Sequence, residues 1–271
     1  MRLTVRHTTR YRYETPLANA MQQLRLTPPE LAHQRVVDWS IEAPGIHRAT
    51  TYRDAFGNLV HMVSTQDVAE GVEITAHGTV EVRDTSGVIA RDPSAPPRRI
   101  YTRITPATKP NQAIRRLATL ADKPDQVTAF HELMHAIRDK VAYRVGVTET
   151  HATAASALAA GEGVCQDHAH IFISAARSIG VPARYVSGYL LLDDEQASEA
   201  HHAWAEVFIN DLGWVAFDIS NGICPTDRYI RLTTGLDSRS AAPIRGIRFG
   251  GLDENMQVEV DVVQAASQQQ Q

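Results

Sequence analysis

The sequence predicts an α+β fold, in which an all-β, sandwich-like module precedes a core of helices packed on an antiparallel sheet. Three observations support this order. Residues 3–13 alternate strictly between two faces, as a half-buried strand does. Five prolines lie between residues 91 and 110, where they resist helix formation and indicate a connection. Beyond them, apolar residues recur three and four positions apart, which is the spacing of an amphipathic helix.

The first module is assigned to residues 1–90. One face of its first strand carries Leu3 and Val5, and the other carries a row of arginines that we interpret as a solvated face without a function. The same alternation recurs over residues 37–41 and 72–82. The segment from Asp54 to Asn58 favours a hairpin turn between two strands. Several strands joined by turns are typical of an all-β module.

Residues 91–110 are the predicted linker, and residues 111–262 the predicted core. Within the core we expect helices over residues 113–120, 130–141 and 166–179, and strands over residues 184–192, 202–209 and 213–219. A last alternation over residues 256–262 predicts a strand that could complete either sheet. Residues 263–271 are rich in glutamine, and we expect them to be disordered because they have little to bury.

Composition argues against several classes of protein. The formal net charge is -4, and Lys and Arg are scattered rather than gathered into a stripe, so we expect no nucleic-acid partner. The first residues do not resemble a signal peptide, and no apolar run has the length of a membrane helix, so we expect no membrane association and a cytoplasmic location. The two cysteines, Cys165 and Cys224, are too few for a disulfide framework.

Cys165 is the candidate nucleophile. It lies where a glycine-containing turn, Gly161-Glu-Gly-Val, passes into a predicted helix. The unpaired N–H groups and the dipole at a helix start favour a thiolate, which is the reactive form of cysteine. The polar residues that follow it distinguish this position from that of a buried structural cysteine.

Two further candidates lie on a predicted hairpin whose strands flank a turn over residues 210–213. If Trp204 lies opposite Asp218, the side chains of His202 and Asp218 are diagonal neighbours on one face and can form a hydrogen bond. A slip of one residue would separate them. In that arrangement the imidazole can take a thiol proton with one nitrogen while a carboxylate holds the other.

These motifs follow one another in a specific order. They are Gly-Val-Cys165-Gln-Asp, Ile-Gly-Val-Pro-Ala-Arg-Tyr-Val-Ser-Gly-Tyr189, His202-Ala-Trp-Ala-Glu-Val and Gly-Trp-Val-Ala-Phe-Asp218. Together they resemble the core of the bacterial transglutaminase-like proteins, which are relatives of papain-type cysteine proteases. The first module also resembles the N-terminal module that such proteins carry. The resemblance implies a papain/transglutaminase-like core, with Cys165 as nucleophile, His202 as base and Asp218 as orienting carboxylate.

The resemblance further implies acyl-enzyme chemistry, in which a thioester forms on the cysteine from a carboxamide or a peptide bond. We expect a peptide or protein amide substrate, and hydrolysis in preference to cross-linking. Gln166 or Tyr143 could supply a second oxyanion donor, and Trp204 could form a wall of the cleft. The sequence departs from the family pattern at His201, where serine is frequent, and at Ile219-Ser220, where Pro-Thr is frequent. His201 should point away from the face of His202.

Two other functions compete with this one. His131-Glu132-Leu-Met-His135 matches the zinc-peptidase pattern H-E-x-x-H, but the third ligand of the extended pattern is absent, which leaves only distant acids such as Glu149 or Glu162. A second metal hypothesis groups Cys165, Asp167, His168 and His170, whose side chains should diverge on a helix. We therefore expect no metal and no cofactor. The remaining alternative is a binding module that keeps the fold without catalysis. The sequence leaves the oligomeric state open.

Overall fold

The computed structural model describes residues 1–68, 71–89, 96–146, 152–192, 201–251 and 253–265. The fold is α+β, as predicted. Its strands are β1 (Arg2–Arg12), β2 (Leu17–Leu24), β3 (Gln34–Glu42), β4 (Thr50–Arg53), β5 (Leu59–Val68), β6 (Gly71–Val82), β7 (Val88–Ile89), β8 (Ala142–Tyr143), β9 (Glu162–Gly163), β10 (Ala183–Leu190), β11 (His201–Ile209), β12 (Gly213–Phe217), β13 (Tyr229–Gly235), β14 (Ile244–Gly250) and β15 (Asn255–Gln264). Its α-helices are α1 (Gln112–Ala118), α2 (Gln126–Lys140), α3 (Ala154–Ala160) and α4 (Cys165–Ser178), and short 3-10 helices cover Ile46–Arg48 and Arg98–Thr102.

Two antiparallel sheets form the sandwich-like region, with strand orders β15-β1-β6-β3 and β14-β2-β5-β4. Side chains from both sheets share one buried core, to which Leu3, Leu24 and Ile74 belong. The predicted turn lies between β4 and β5, where the N–H of Asp54 donates to the carbonyl of Asn58 over 3.0 Å. The apolar residues of the predicted alternating strands thus lie on the faces that point into the space between the sheets.

The C-terminal strand corrects the predicted domain limits. β15 pairs with β1 from Leu3 opposite Gln264 to Arg12 opposite Asn255, so it completes the first sheet of the sandwich and not the sheet of the core. β14 pairs with β2 in the second sheet. The range 111–262 therefore extends too far as a core, and residues 263 and 264 are part of a strand. An alternating pattern shows which side chains share a face but not which strand is the neighbour. Residues 266–271 of the predicted tail lie outside the described residues.

The predicted linker packs against the core over its described part, residues 96–110. It contains the 3-10 helix Arg98–Thr102, in which Tyr101 is fully buried. The carbonyl of Tyr101 accepts a hydrogen bond from Nε of Arg177 over 3.0 Å. Before the linker, β7 pairs with β12 of the core sheet. Residues 91–95 lie outside the described residues.

The core is built on a third antiparallel sheet with the order β13-β10-β11-β12-β7. The helices pack on one face of it, with α4 against β11 and β10. Phe130 of α2, Phe172 of α4 and Phe217 of β12 meet there, with ring centroids 5.3 to 6.1 Å apart. Within the described residues, no helix has the length and apolar character needed to cross a membrane.

Candidate active site

Cys165 is the first residue of α4, one position before the predicted start. α3 ends at Ala160 and is capped by Gly161, whose φ of 72° is left-handed, and Val164 is extended, so the chain turns sharply into α4. The carboxylate of Asp167 accepts a hydrogen bond from the N–H of Val164 over 2.9 Å. A Cβ on Gly163 would lie 2.7 Å from that carboxylate, so glycine is required for the close approach. The half-buried thiol therefore lies in the positive field of a helix start.

His202 and Asp218 meet through the predicted hairpin register. β11 pairs with β12 so that Ala205 lies opposite Phe217, which is the register that the prediction required. Nε2 of His202 lies 2.7 Å from Oδ2 of Asp218. His202 is buried and Asp218 is fully buried, so the pair is shielded from water.

Two residues that the sequence analysis did not single out hold Asp218. Nδ2 of Asn221 donates to Oδ2 of Asp218 over 2.7 Å, and the hydroxyl of Tyr229 donates to the same oxygen over 2.8 Å. Burial would raise the pKa of Asp218, but its hydrogen bonds and the charge of His202 outweigh burial and lower it. The Ser-Asn-Gly sequence after Asp218 signals a turn that could have identified Asn221. No local signal identifies Tyr229, which comes from β13.

The imidazole of His202 links Asp218 to Cys165. Burial alone would lower the pKa of His202, but hydrogen bonds and charge interactions with Asp218 and Cys165 raise it to about 10. Because Nε2 is engaged by Asp218, Nδ1 is the nitrogen that serves the thiol. At neutral pH His202 is therefore protonated, and a positive charge lies beside the sulfur of the candidate nucleophile.

The three supporting candidates lie near this group. Gln166 and Tyr143 line the same cleft as Cys165. Trp204 is buried and stacks on His202 with ring centroids 6.4 Å apart, so it packs behind the imidazole. It is not among the residues that line the cleft. The role of Gln166 or Tyr143 as an oxyanion donor stays a prediction.

The other histidines near the site have separate partners. Nε2 of His201 lies 2.8 Å from the hydroxyl of Ser187, whereas His202 contacts Asp218. Nε2 of His168 donates to the carbonyl of Val141 over 2.9 Å, and Nε2 of His170 accepts from the N–H of Ser238 over 3.1 Å. The side chains of the second metal hypothesis therefore point toward different neighbours.

The H-E-x-x-H segment is placed on α2 but is not gathered around a common point. Nε2 of His131 lies 3.9 Å from Sγ of Cys224, and Glu132 pairs with Lys123. Glu162 pairs with Arg144 over 3.2 Å, and Glu149 lies outside the described residues. Over the part of the chain that the structure describes, no group of three or more His, Cys, Asp or Glu could hold a metal ion.

Cys165 opens onto a cleft of about 580 Å³ that lies between the core and the sandwich. The core contributes Val164, Cys165, Gln166, Tyr185, Ser187 and His201. The sandwich contributes His7, Thr9 and Tyr11 of β1 with Met256, Val258 and Val260 of β15. A region of the fold distant in sequence thus forms one wall of the candidate site.

The chain is similar to known proteins along nearly its whole length. Residues 112–219 match the transglutaminase-like superfamily, and residues 3–81 match the bacterial transglutaminase-like N-terminal region. An uncharacterized protein of Mycobacterium leprae is 27% identical, with 98% of this chain and 99% of that protein covered. An uncharacterized protein of Mycobacterium tuberculosis is 30% identical, with 97% of this chain and 92% of that protein covered.

A solved structure supports the fold. A candidate cysteine protease of Cytophaga hutchinsonii superposes with a TM-score of 0.75 at 19% identity, over 98% of this chain and 92% of that one. At this identity the likeness shows the fold alone. The two family matches cover the sandwich and the core in the order that the sequence motifs predicted. The chain therefore belongs to the transglutaminase-like superfamily, as a member with the bacterial transglutaminase-like N-terminal region.

Proposed function

We propose that this protein is a cysteine hydrolase that cleaves carboxamide or peptide bonds through a thioester on Cys165. One observation carries the proposal, which is the hydrogen-bonded series from Cys165, which lines the cleft, through buried His202 to buried Asp218. A packed scaffold does not require a buried, charged pair beside a thiol, because burial of charge is costly unless each group is paired. Family membership supports an enzyme of this general class.

In the first half of the reaction, the thiolate of Cys165 attacks the carbonyl carbon. A C–S bond forms, and the electron pair of the carbonyl moves to its oxygen. Cys165 and Gln166 belong to the first turn of α4, where backbone N–H groups have no acceptor within the helix. These two N–H groups can therefore donate to the oxyanion. The C–N bond then breaks, and the leaving nitrogen takes the proton from His202, which leaves a thioester.

In the second half, neutral His202 takes a proton from water, whose oxygen attacks the thioester carbonyl. The C–S bond breaks, the carboxylic acid departs, and the thiolate and imidazolium are restored. We assign water as the acceptor because none of the described residues that line the cleft is an Asp or Glu that could hold the ammonium group of a lysine. Competition between water and an added amine, described below, tests this assignment.

The substrate in this proposal is a peptide or protein amide, and the location is cytoplasmic. Both cysteines are free thiols, which a reducing compartment preserves. The cleft volume of about 580 Å³ lies within the range of about 300 to 1,000 Å³ that is typical of sites for drug-sized ligands, so a short segment of a peptide can occupy it.

The proposal is tested by trapping the acyl-enzyme with p-nitrophenyl acetate. We expect a burst of nitrophenolate equal to the enzyme concentration and an acetyl group on Cys165 by peptide mass spectrometry. Cys165→Ala should abolish both, whereas Cys224→Ala, which removes the other free thiol, should retain them. Absence of acetyl-Cys165 in a folded protein would overturn the proposal.

The fate of the acyl group is followed in the same reaction with added cadaverine. Free acetate as the main product supports hydrolysis, and acetyl-cadaverine as the main product would show an acyltransferase instead. Treatment with EDTA should leave the burst unchanged, whereas loss of activity on chelation together with survival of Cys165→Ala would favour the zinc hypothesis for His131 and His135.

A further inference from the structure

We propose that the cleft selects substrates carrying an uncharged, apolar group next to the reacting carbonyl, and that β15 of the sandwich is the wall that recognises this group. The inference rests on the proposed function in one respect: it takes the reacting carbonyl to be the one that Cys165 attacks. Its basis is the register, chemistry and exposure of side chains opposite Cys165.

The wall is a continuous patch made by three cross-strand pairs. β1 and β15 place His7 opposite Val260, Thr9 opposite Val258 and Tyr11 opposite Met256. Alternate residues of a strand share a face, so all six side chains point to the same side of the sheet. All six line the cleft that contains Cys165.

Apart from the nucleophile Cys165, the lining carries no charge at pH 7. None of the described residues around the cleft is an Asp, Glu, Lys or Arg. His7 is buried, and its ring contacts the hydroxyl of Tyr189 over 2.9 Å and that of Thr9 over 3.2 Å. Burial is the main reason that the pKa of His7 falls to about 3 and that of His201 to about 4, so both rings are neutral at pH 7. A charged substrate group would lose its hydration here without gaining a partner.

The exposure of the wall increases toward its open end. Val260 is 2% exposed, whereas Val258 is 44% and Met256 57% exposed. Val258 and Met256 thus present apolar surface to the cleft that the sandwich core does not cover. Burying such surface is favourable by about 25 cal/mol per Å², so an apolar group placed in the cleft gains affinity.

The concave shape favours a substrate group over a protein partner. The patch faces Cys165 across a half-open cleft, which is also lined by Gln166 and Tyr185 of the core. A surface that binds a protein partner has no need to face a nucleophile, whereas a surface that binds part of the substrate does. An acyl chain or side chain attached to the carbonyl at Cys165 lies within this volume.

The inference is tested by binding, which does not depend on the reactivity of the thiol. N-acetyl-leucinamide, N-acetyl-lysinamide and N-acetyl-glycinamide share one backbone and differ in their side chains. Each is titrated into the Cys165→Ala protein labelled with ¹³C at its methionine methyl groups, and the signal of Met256 reports both position and affinity. We expect the leucine compound to bind about tenfold or more tightly than the other two, because it buries an apolar side chain.

Two substitutions on one strand supply the matched comparison. Val258→Gln places a neutral polar side chain in the cleft, and Val263→Gln makes the same change at a position that is 56% exposed and not among the residues lining the cleft. The preference for leucine over glycine should fall at least about threefold in Val258→Gln, because one contact of the wall is lost. It should stay as in the parent protein in Val263→Gln.

Equal affinities for the three compounds would overturn the inference, as would absence of saturable binding of the leucine compound. An equal loss of preference in both variants would also overturn it. None of these outcomes bears on acyl-enzyme formation, which is measured on the unmodified thiol with p-nitrophenyl acetate. Failure of the acyl-enzyme with retained leucine preference would overturn the proposed function and leave the apolar wall supported.

Discussion

Nε2 of His202 lies 2.7 Å from Oδ2 of Asp218, and this contact determines which nitrogen of the imidazole faces Cys165. The carboxylate accepts the Nε2 proton, so the ring cannot rotate without breaking a buried, charge-assisted hydrogen bond. The same carboxylate is held by Asn221 and Tyr229. Asn221 and Tyr229 therefore hold the carboxylate in place, and the carboxylate fixes the orientation of the imidazole.

Replacing Asp218 by Asn should lower the rate of acylation by about 10²- to 10⁴-fold, because the amide no longer stabilises the imidazolium or fixes its tautomer. The rate is measured as the cleavage of N-acetyl-leucine p-nitroanilide, and thermal unfolding checks that the protein is folded. Asp139→Asn, at an exposed position on α2, is the matched control. A folded Asp218→Asn protein with the activity of the control would contradict the role of Asp218.

The pH dependence should show a loss of activity in alkali. The pKa of His202 is raised to about 10 against the effect of burial, chiefly by the hydrogen bonds with Asp218 and Cys165. The imidazolium supplies the proton for the leaving nitrogen, so kcat/KM for the p-nitroanilide should fall as pH rises through about 10. In Asp218→Asn this limb should move to lower pH. An alkaline limb that stays in place in that variant would contradict the coupling.

Tyr229→Phe tests the support of Asp218 from β13. The hydroxyl of Tyr229 donates to Oδ2 of Asp218 over 2.8 Å. The substitution removes this hydrogen bond but keeps the aromatic ring, so it opens no cavity of the size of a side chain. We expect kcat to fall by about three- to tenfold, which is less than the loss of a full hydrogen bond to a charged group, about 1.5 to 3 kcal/mol, because Asn221 still donates to the same oxygen. Tyr52→Phe is the control, because that hydroxyl contacts Gln23 on the sandwich surface. Equal effects of the two substitutions would show that Tyr229 acts only through general packing.

The site could be predicted from sequence where its geometry is local. Cys165 follows a glycine turn and begins a helix, and a three-residue turn over residues 210–212 fixes the pairing that brings His202 to Asp218. Both depend on short-range chemistry that a sequence displays. Asn221 lies in the next turn, directly after Asp218, where Ser-Asn-Gly is an equally local signal.

The remainder depends on pairing between distant segments. Val258 reaches the cleft because β15 pairs with β1, which lies at the other end of the chain, and an alternating pattern does not identify its partner. Tyr229 reaches Asp218 because β13 and β10 are neighbours in the core sheet. The positions of Val258 in the wall of the cleft and of Tyr229 beside Asp218 therefore could not be predicted from the sequence.

The buried ion pair of Arg184 with Glu206 should contribute far more to stability than the exposed ion pair of Arg35 with Glu81. Glu206 is fully buried, and its pKa is lowered, against the effect of burial, by Arg184 and Arg231. Arg184→Met leaves that carboxylate short of a partner, so the free energy of unfolding should fall by about 3 to 5 kcal/mol. Arg35→Met removes an exposed pair with Glu81 and should cost no more than about 1 kcal/mol. Urea unfolding measures both, and similar losses would contradict the role of burial.

The most direct test of the account is the rate at which iodoacetamide alkylates the two cysteines at pH 6, followed by peptide mass spectrometry. Burial raises the pKa of Cys224 to about 11, so that residue remains a slow, protonated thiol and serves as an internal reference. Cys165, beside protonated His202 at a helix start, is expected to react at least about 10²-fold faster. His202→Gln should remove most of that difference. Equal rates at Cys165 and Cys224 in the folded parent protein would contradict an activated nucleophile at Cys165.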